Sequence, residues 1–175
     1  FMLIPYKDDN PTATAPVVTV LLVAANILIF LYFRLFVAGN EYEFHAVLAN
    51  VGIVPRKFFS RYLVMGWDGV PTPLTLVTGM FMHADFLHLG GNMLYLWIFG
   101  NNVEDYFGHL KFLLFYLVAG IGGSLVFMVM NFNSTIPMVG ASGAIAGVLG
   151  AYFLLYPHAR VHVLLFLLIF FTTIQ

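Results

Sequence analysis

Four stretches, Val17 to Val37, Phe86 to Asp105, Leu110 to Met130 and Gly140 to Tyr156, are apolar over most of a bilayer's thickness and are separated by polar residues. A hydrocarbon core about 30 Å thick needs about 20 helical residues per crossing, and an open strand cannot satisfy its backbone there. The composition agrees, with 61% hydrophobic and 9% charged residues, against about 25% charged in an average soluble domain. The expected fold is therefore all-α, a polytopic membrane helix bundle. A polar N-terminal tail, residues 1–16, precedes one membrane domain over residues 17–175.

The formal net charge of -1 and seven scattered basic residues exclude a nucleic-acid partner. Without cysteine there is no disulfide, thiolate nucleophile or thiolate metal site. The first sixteen residues carry Lys7, Asp8, Asp9 and three prolines, which is not the basic start and apolar core of a cleavable signal. The first span is expected to stay in the protein. Placing Lys7, Lys111 and Arg160 inside satisfies the positive-inside rule, although Arg34, Arg56, Lys57 and Arg61 then lie outside. The expected orientation has a cytoplasmic N-terminus.

Between the first two spans, Ala38 to Pro73 mixes charges, glycines and aromatics. Phe44, Val47, Leu48 and Val51 have helical spacing, and Phe58, Phe59, Tyr62 and Leu63 form a second short apolar face. Both suit helices lying in the membrane interface. Asn26, inside the first span, is expected to hydrogen-bond between helices. After Pro157 to Arg160, the apolar run Val161 to Ile174 is shorter than a crossing. It reads as a partial fifth span following four complete ones.

The chemistry-bearing stretch runs from Pro137 to Pro157, where Ser142 stands between Gly140 and Gly143 at a helix start. A serine there is a helix cap or a nucleophile. After it, Gly143, Gly147, Gly150 and Ala151 form a small-residue ridge that admits another helix closely. His83, Asp85, His88 and Asn92 open the second span, and ionisable groups at such depth are functional candidates. Asp85 is a candidate helix cap, which would set His88 and Asn92 on one face of the first turns.

Alternation of the spans brings the starts of the second and fourth to one membrane face, so His83, His88 and Asn92 can approach Ser142. His158 and His162 follow Ser142 by a whole helix, on the order of 24 to 30 Å along the axis, and lie at the other face. A hydroxyl beside free helix N–H groups and side-chain donors fits acyl transfer with a stabilised oxyanion. The local Gly-Ala-Ser-Gly-Ala lacks the last glycine of the soluble hydrolases' nucleophile elbow. The histidines lack the glutamate of the short zincin signature, so no metal is expected.

Three segments in order, His83-Ala-Asp-Phe-Leu-His88-Leu-Gly-Gly-Asn92, Gly100-Asn-Asn-Val-Glu104-Asp105-Tyr-Phe-Gly108 and Gly140-Ala-Ser142-Gly143, resemble those of the rhomboid family of intramembrane serine proteases. The Asp-Asp-Asn-Pro-Thr opening at residues 8 to 12 is similar to prokaryotic members. The resemblance implies a six-helix core, no cofactor, and cleavage of transmembrane segments of other proteins within the bilayer of a prokaryotic cell membrane. It implies Ser142 as nucleophile, with Asn92, His88 and the backbone at Ser142 as the oxyanion hole. Gly140 and Gly143 would shape the active-site loop, and His83 would support it. The family's base is a histidine on a sixth span packed against the small-residue ridge, which this chain does not contain. The ridge is thus expected to lack its partner, and the isolated chain to have little activity. The rival expectations are a non-catalytic relative that binds transmembrane helices, and a channel, for which the single polar cluster offers no continuous path.

Overall fold

The computed structural model describes residues 2–59, 70–167 and 170–174. Helix α1 spans Val17–Tyr32 and continues as a π-helical turn, Phe33–Val37. Helices α2, Glu41–Val51, and α3, Pro55–Phe59, follow. A broken helical segment over 72–81 has α4, Thr75–Thr78, at its centre. Then come α5, Phe86–Phe107, α6, His109–Met130, and α7, Ser142–Leu155.

Each boundary has a local cause. Asp85 caps α5, its Oδ1 accepting the His88 N–H at 2.8 Å, which leaves one fewer orphan donor in the first turn. Gly108, at φ 77°, breaks the chain between α5 and α6, a conformation glycine adopts without a Cβ penalty. In α2, Asn40 accepts the Glu43 N–H at 3.0 Å while the Glu43 carboxylate reaches back to the Gly39 N–H at 2.7 Å, close kin to a capping box.

Pro16 offers α1 no side-chain cap. Instead Glu104, buried near the end of α5, accepts from Val18 N at 2.8 Å, Thr19 N at 2.7 Å and Thr19 Oγ1 at 2.7 Å. His109 Nδ1, at the first residue of α6, donates to the same carboxylate at 2.6 Å. One buried carboxylate thereby ties three helices together, and its full set of donors offsets the cost of burying a charge.

Phe30, Leu96, Val103, Phe112, Tyr116 and Val148 make the interior where α1, α5, α6 and α7 meet. Leu21, Leu28, Leu110, Val118, Val129 and Leu154 point outward and are exposed. Such a surface is stable only against lipid or a partner. Among the described residues, two helical stretches, Val17–Val37 and His109–Met130, are long and apolar enough to cross a membrane.

Helix α7, with 14 residues, is about 21 Å long and too short to cross alone. Its first turn meets the middle of α6: a Cβ placed on Gly123 would lie 2.9 Å from Gly143 Cα. Gly123 precedes the end of α6 at Met130 by seven residues, so Ser142 is recessed about 10 Å from that end. The sequence reading expects the ridge to lack a partner, but α6 supplies one. Gly143 packs on Gly120 and Gly123, and Gly147 on Ala119, all of α6. Gly150 alone of that ridge's glycines faces open space.

The long loop partly follows its expected form. Phe44 and Leu48 are the buried face of α2, and α3 carries Phe58 and Phe59, while Tyr62 and Leu63 lie outside the described residues. Asn26 differs from expectation in bonding within its own helix, its Nδ2 donating to Leu22 O at 2.8 Å, with Tyr116 of α6 against the same side chain.

The chain is not all-α. Strand β1, Met2–Asp8, pairs antiparallel with β2, Val161–Leu167, which pairs antiparallel with β3, Phe170–Ile174. The register sets Ile4 opposite Leu164 and Asp8 opposite Val161, with an irregularity between Pro5 and Lys7. This replaces the expected partial fifth span, and part of the polar N-terminal tail, Met2–Asp8, is a strand of the same sheet. Val161 to Ile174 is rich in β-branched and aromatic residues, a composition that favours strands, and a short apolar run does not by periodicity distinguish strand from helix.

Candidate active site

Ser142 is the first residue of α7 and is exposed. The loop that delivers it is held by main-chain bonds to distant segments. Ile53 and Met138 exchange N–H···O bonds of 3.0 and 2.7 Å, and Gly140 N donates to Gly79 O at 2.9 Å. Thr78 Oγ1 adds a bond to Val51 O at 2.6 Å. The residues before the serine are thus anchored to Ile53, between α2 and α3, and to the segment before α5, which is itself tied to the end of α2.

Gly140 is fixed by two constraints. Its φ is 116°, which L side chains rarely adopt, and a Cβ there would lie 2.7 Å from His88 Nε2. The backbone at Gly140 therefore passes directly against the His88 ring. Only glycine permits both the turn and the approach.

His83 is fully buried just ahead of α5, and its Nε2 lies 2.9 Å from Asn92 Nδ2. The Asn92 amide can only donate from that atom, so Nε2 accepts and the neutral ring carries its proton on Nδ1. Burial holds the His83 pKa down to about 4, helped by the His88 ring beside it and opposed by Asp85. The two imidazoles meet edge to face with centroids 5.1 Å apart. His83 is therefore an uncharged acceptor that orients Asn92.

His88, Asn92, Tyr95, Ser142, Ile145 and Leu149 share the wall of an open cleft of about 330 Å³ between α5 and α7. On the other side of Ser142, a second cavity of about 230 Å³ lies between α6 and α7, bounded by Met80, Gly123, Phe127, Met138 and Gly140. A substrate carbonyl at Ser142 would meet polar groups from α5 and the α7 N-terminus, with one cavity on each side.

The structure brings Ser142, His88 and Asn92 together, with His83 behind Asn92 and Gly140 against His88. Gly143 belongs to the α6 contact rather than to the cleft. His158 and His162 lie at the other end of α7, where His162 Nε2 bonds Asp9 Oδ1 at 2.8 Å. Tyr95, Met80 and Met138 were not singled out by sequence. Tyr95 lies one turn beyond Asn92 on the face that was recognised, whereas nothing local marks either methionine.

A rhomboid domain family model matches residues 71–175. Rhomboid protein 1, mitochondrial, of Saccharomyces cerevisiae is 34% identical over 114 residues, covering 63% of this chain and 33% of that protein. Rhomboid protease GluP of Bacillus subtilis is 47% identical over 76 residues, 43% of this chain and 14% of that protein. Rhomboid-like protein 11, chloroplastic, of Arabidopsis thaliana is 37% identical over 112 residues, 59% of this chain and 38% of that protein. The chain spans well under half the length of these curated relatives. Mitochondrial and chloroplast relatives do not single out a prokaryotic membrane, but the family and the apolar helices make this an integral membrane protein. With a domain matched over more than half its length and relatives in a bacterium, a yeast and a plant, the chain belongs to the rhomboid family.

Proposed function

We propose that this chain is part of an intramembrane serine endopeptidase that cleaves transmembrane segments of other membrane proteins. The observation that carries the reading is the shared cleft wall of Ser142, His88 and Asn92. In the proposed reaction Ser142 Oγ bonds to the scissile carbonyl carbon, and the carbonyl oxygen becomes an oxyanion. Asn92, His88 and the N–H at Ser142 donate to it. The C–N bond then breaks, the leaving amine takes the proton lost by Oγ, and water releases the acyl group from the serine. His83 holds Asn92, and Gly140 and Gly143 set the loop and helix start.

With Ser142 recessed along α6, the serine is proposed to lie below the bilayer surface and to be reached by water past the loop before α7. A peptide bond in an intact helix is closed to attack, so substrates are segments that unwind readily. The N-terminus is proposed to be cytoplasmic, in a prokaryotic cell membrane, with the cleft at the opposite face.

His83 is occupied as an acceptor and His88 as an oxyanion donor, so deprotonation of Ser142 is slow in the chain by itself. Removing a base still leaves the contribution of an oxyanion hole. The test is cleavage of a transmembrane model substrate by the chain in liposomes, with and without added imidazole as a mobile base. Slow cleavage that imidazole accelerates and Ser142→Ala abolishes supports the reading. Helix binding without cleavage under either condition supports a non-catalytic binder instead.

A further inference from the structure

The Asp-Asp-Asn-Pro-Thr stretch at residues 8 to 12 takes no part in the reaction proposed above, yet it lies across the far ends of both helices that wall the cleft. Those helices are α5, which starts with His88 and Asn92, and α7, which starts with Ser142. The length of α7, about 20 Å, separates the stretch from the serine.

At this end Asn10 O accepts from Asn102 Nδ2 of α5 at 2.8 Å, and Tyr156 OH, where α7 ends, donates to Asn102 O at 3.1 Å. The Asn10 side chain lies against the Tyr156 hydroxyl. A ring of three residues thus joins the tail, α5 and α7. One turn back along α7, Tyr152 OH donates to Asp8 Oδ2 at 2.7 Å. On the α5 side, Asp105 takes the Ala13 and Thr14 N–H groups at 3.0 and 2.7 Å. Asn102 and Tyr152 are both buried, and the Tyr152 ring meets Phe99 of α5 edge to face with centroids 4.9 Å apart. Among the described residues, the Tyr156 bond to Asn102 is the one hydrogen bond that joins α5 to α7 directly. The rest of that contact is apolar packing, which is non-directional, so directional bonds at one end fix the register and tilt of the pair.

We propose that residues 8 to 14 form a clamp that fixes α5 against α7 and thereby sets the approach of Ser142 to Asn92 and His88. Asp8, Asn10, Asn102, Tyr152 and Tyr156 are then positioning residues for the reaction, a role that rests on the proteolytic reading. Each helix is a stiff rod, so freedom at the clamped end becomes displacement at the other, where about 1 Å of misplacement can cost about 10² in rate.

The chain has no cysteine, so cysteines introduced at Leu87 of α5 and Gly150 of α7, both exposed, can carry a spin-label pair. The distance distribution is read by double electron–electron resonance in liposomes, and the rate of fluorophosphonate labelling of Ser142 is read on the full chain without spin labels. The parent is expected to give one narrow distribution. Tyr152→Phe combined with Tyr156→Phe removes two hydroxyls and keeps the rings. It is expected to broaden the distribution and slow labelling about tenfold. Asp8→Ala should act in the same direction, whereas Asp8→Asn, whose amide oxygen still accepts from Tyr152, retains the parent values. Lys7→Gln, exposed and outside the clamp, should change neither readout. A distribution in the double tyrosine variant equal to the parent's would overturn the clamp. A broadened distribution at the parent's labelling rate would overturn its positioning role, since that is what a merely structural tie gives. A parent chain that the probe never labels would count against the proteolytic reading instead, and the distances would still decide the clamp.

Discussion

A single buried imidazole links the stability of the fold to pH. His83 is neutral, with a pKa near 4 in the fold against about 6.5 in an unfolded chain. Between these values the unfolded state binds more protons, so stability rises with pH across that window and falls as acid is added. The full effect is on the order of 3 kcal/mol, complete near pH 4 and absent above about pH 7. Thermal melts of the detergent-solubilised chain at pH 7 and pH 4.5 should show the loss. His83→Gln should be less stable at neutral pH and flatter across the same range. Asn92→Ala, which removes one of the proposed oxyanion donors, is expected to slow acylation of Ser142 by about 10² to 10³ with substrate binding retained. That these residues lie together was legible because two short motifs keep their spacing on helix starts. The direct packing of His88 on the Gly140 backbone was not, since it depends on how a loop and a helix from distant sequence meet.

Helix contacts are set by one carboxylate and one glycine pair. Glu104→Gln puts an amide among four donors and is expected to cost about 2 to 3 kcal/mol, read as a lower melting temperature. Gly123→Val drives a side chain into Gly143 Cα, 2.9 Å from the added Cβ. Neither backbone can retreat without parting α6 from α7, a loss of about 1 to 3 kcal/mol. The control Gly122→Val, where a Cβ meets nothing, should be nearly neutral. Long apolar periodicity made α1, α5, α6 and α7 legible to within a few residues. The partner of the Gly143 ridge was assigned to a missing helix, although the small residues Gly120, Gly122 and Gly123 of α6 were visible in the sequence. Small-residue stripes mark a close contact without naming its other side.

Across the whole molecule, the ends of the chain meet beside the face opposite Ser142. Beyond the sheet, the Ala13 and Thr14 N–H groups donate to Asp105 at 3.0 and 2.7 Å, and Tyr152 OH donates to Asp8 at 2.7 Å. Burial raises the Asp8 pKa above the usual carboxylate range. None of these pairings leaves a local pattern, because strand pairing and single polar contacts over more than 90 residues of sequence carry no periodicity. The span from Val161 failed to be read for a related reason: a largely apolar run of fourteen residues suits a strand or half a helix equally.

The measurement that bears most directly on the central claim is the site and rate of covalent labelling by a fluorophosphonate, followed by intact mass and peptide mapping of the membrane-embedded chain. The account predicts one slow adduct on Ser142, faster with imidazole, slower in Asn92→Ala and absent in Ser142→Ala. Rapid labelling of the unaided chain would contradict the slow reaction proposed for it. An adduct elsewhere, or a rate indifferent to Asn92, would remove Ser142 and its cleft from the catalytic role proposed for them.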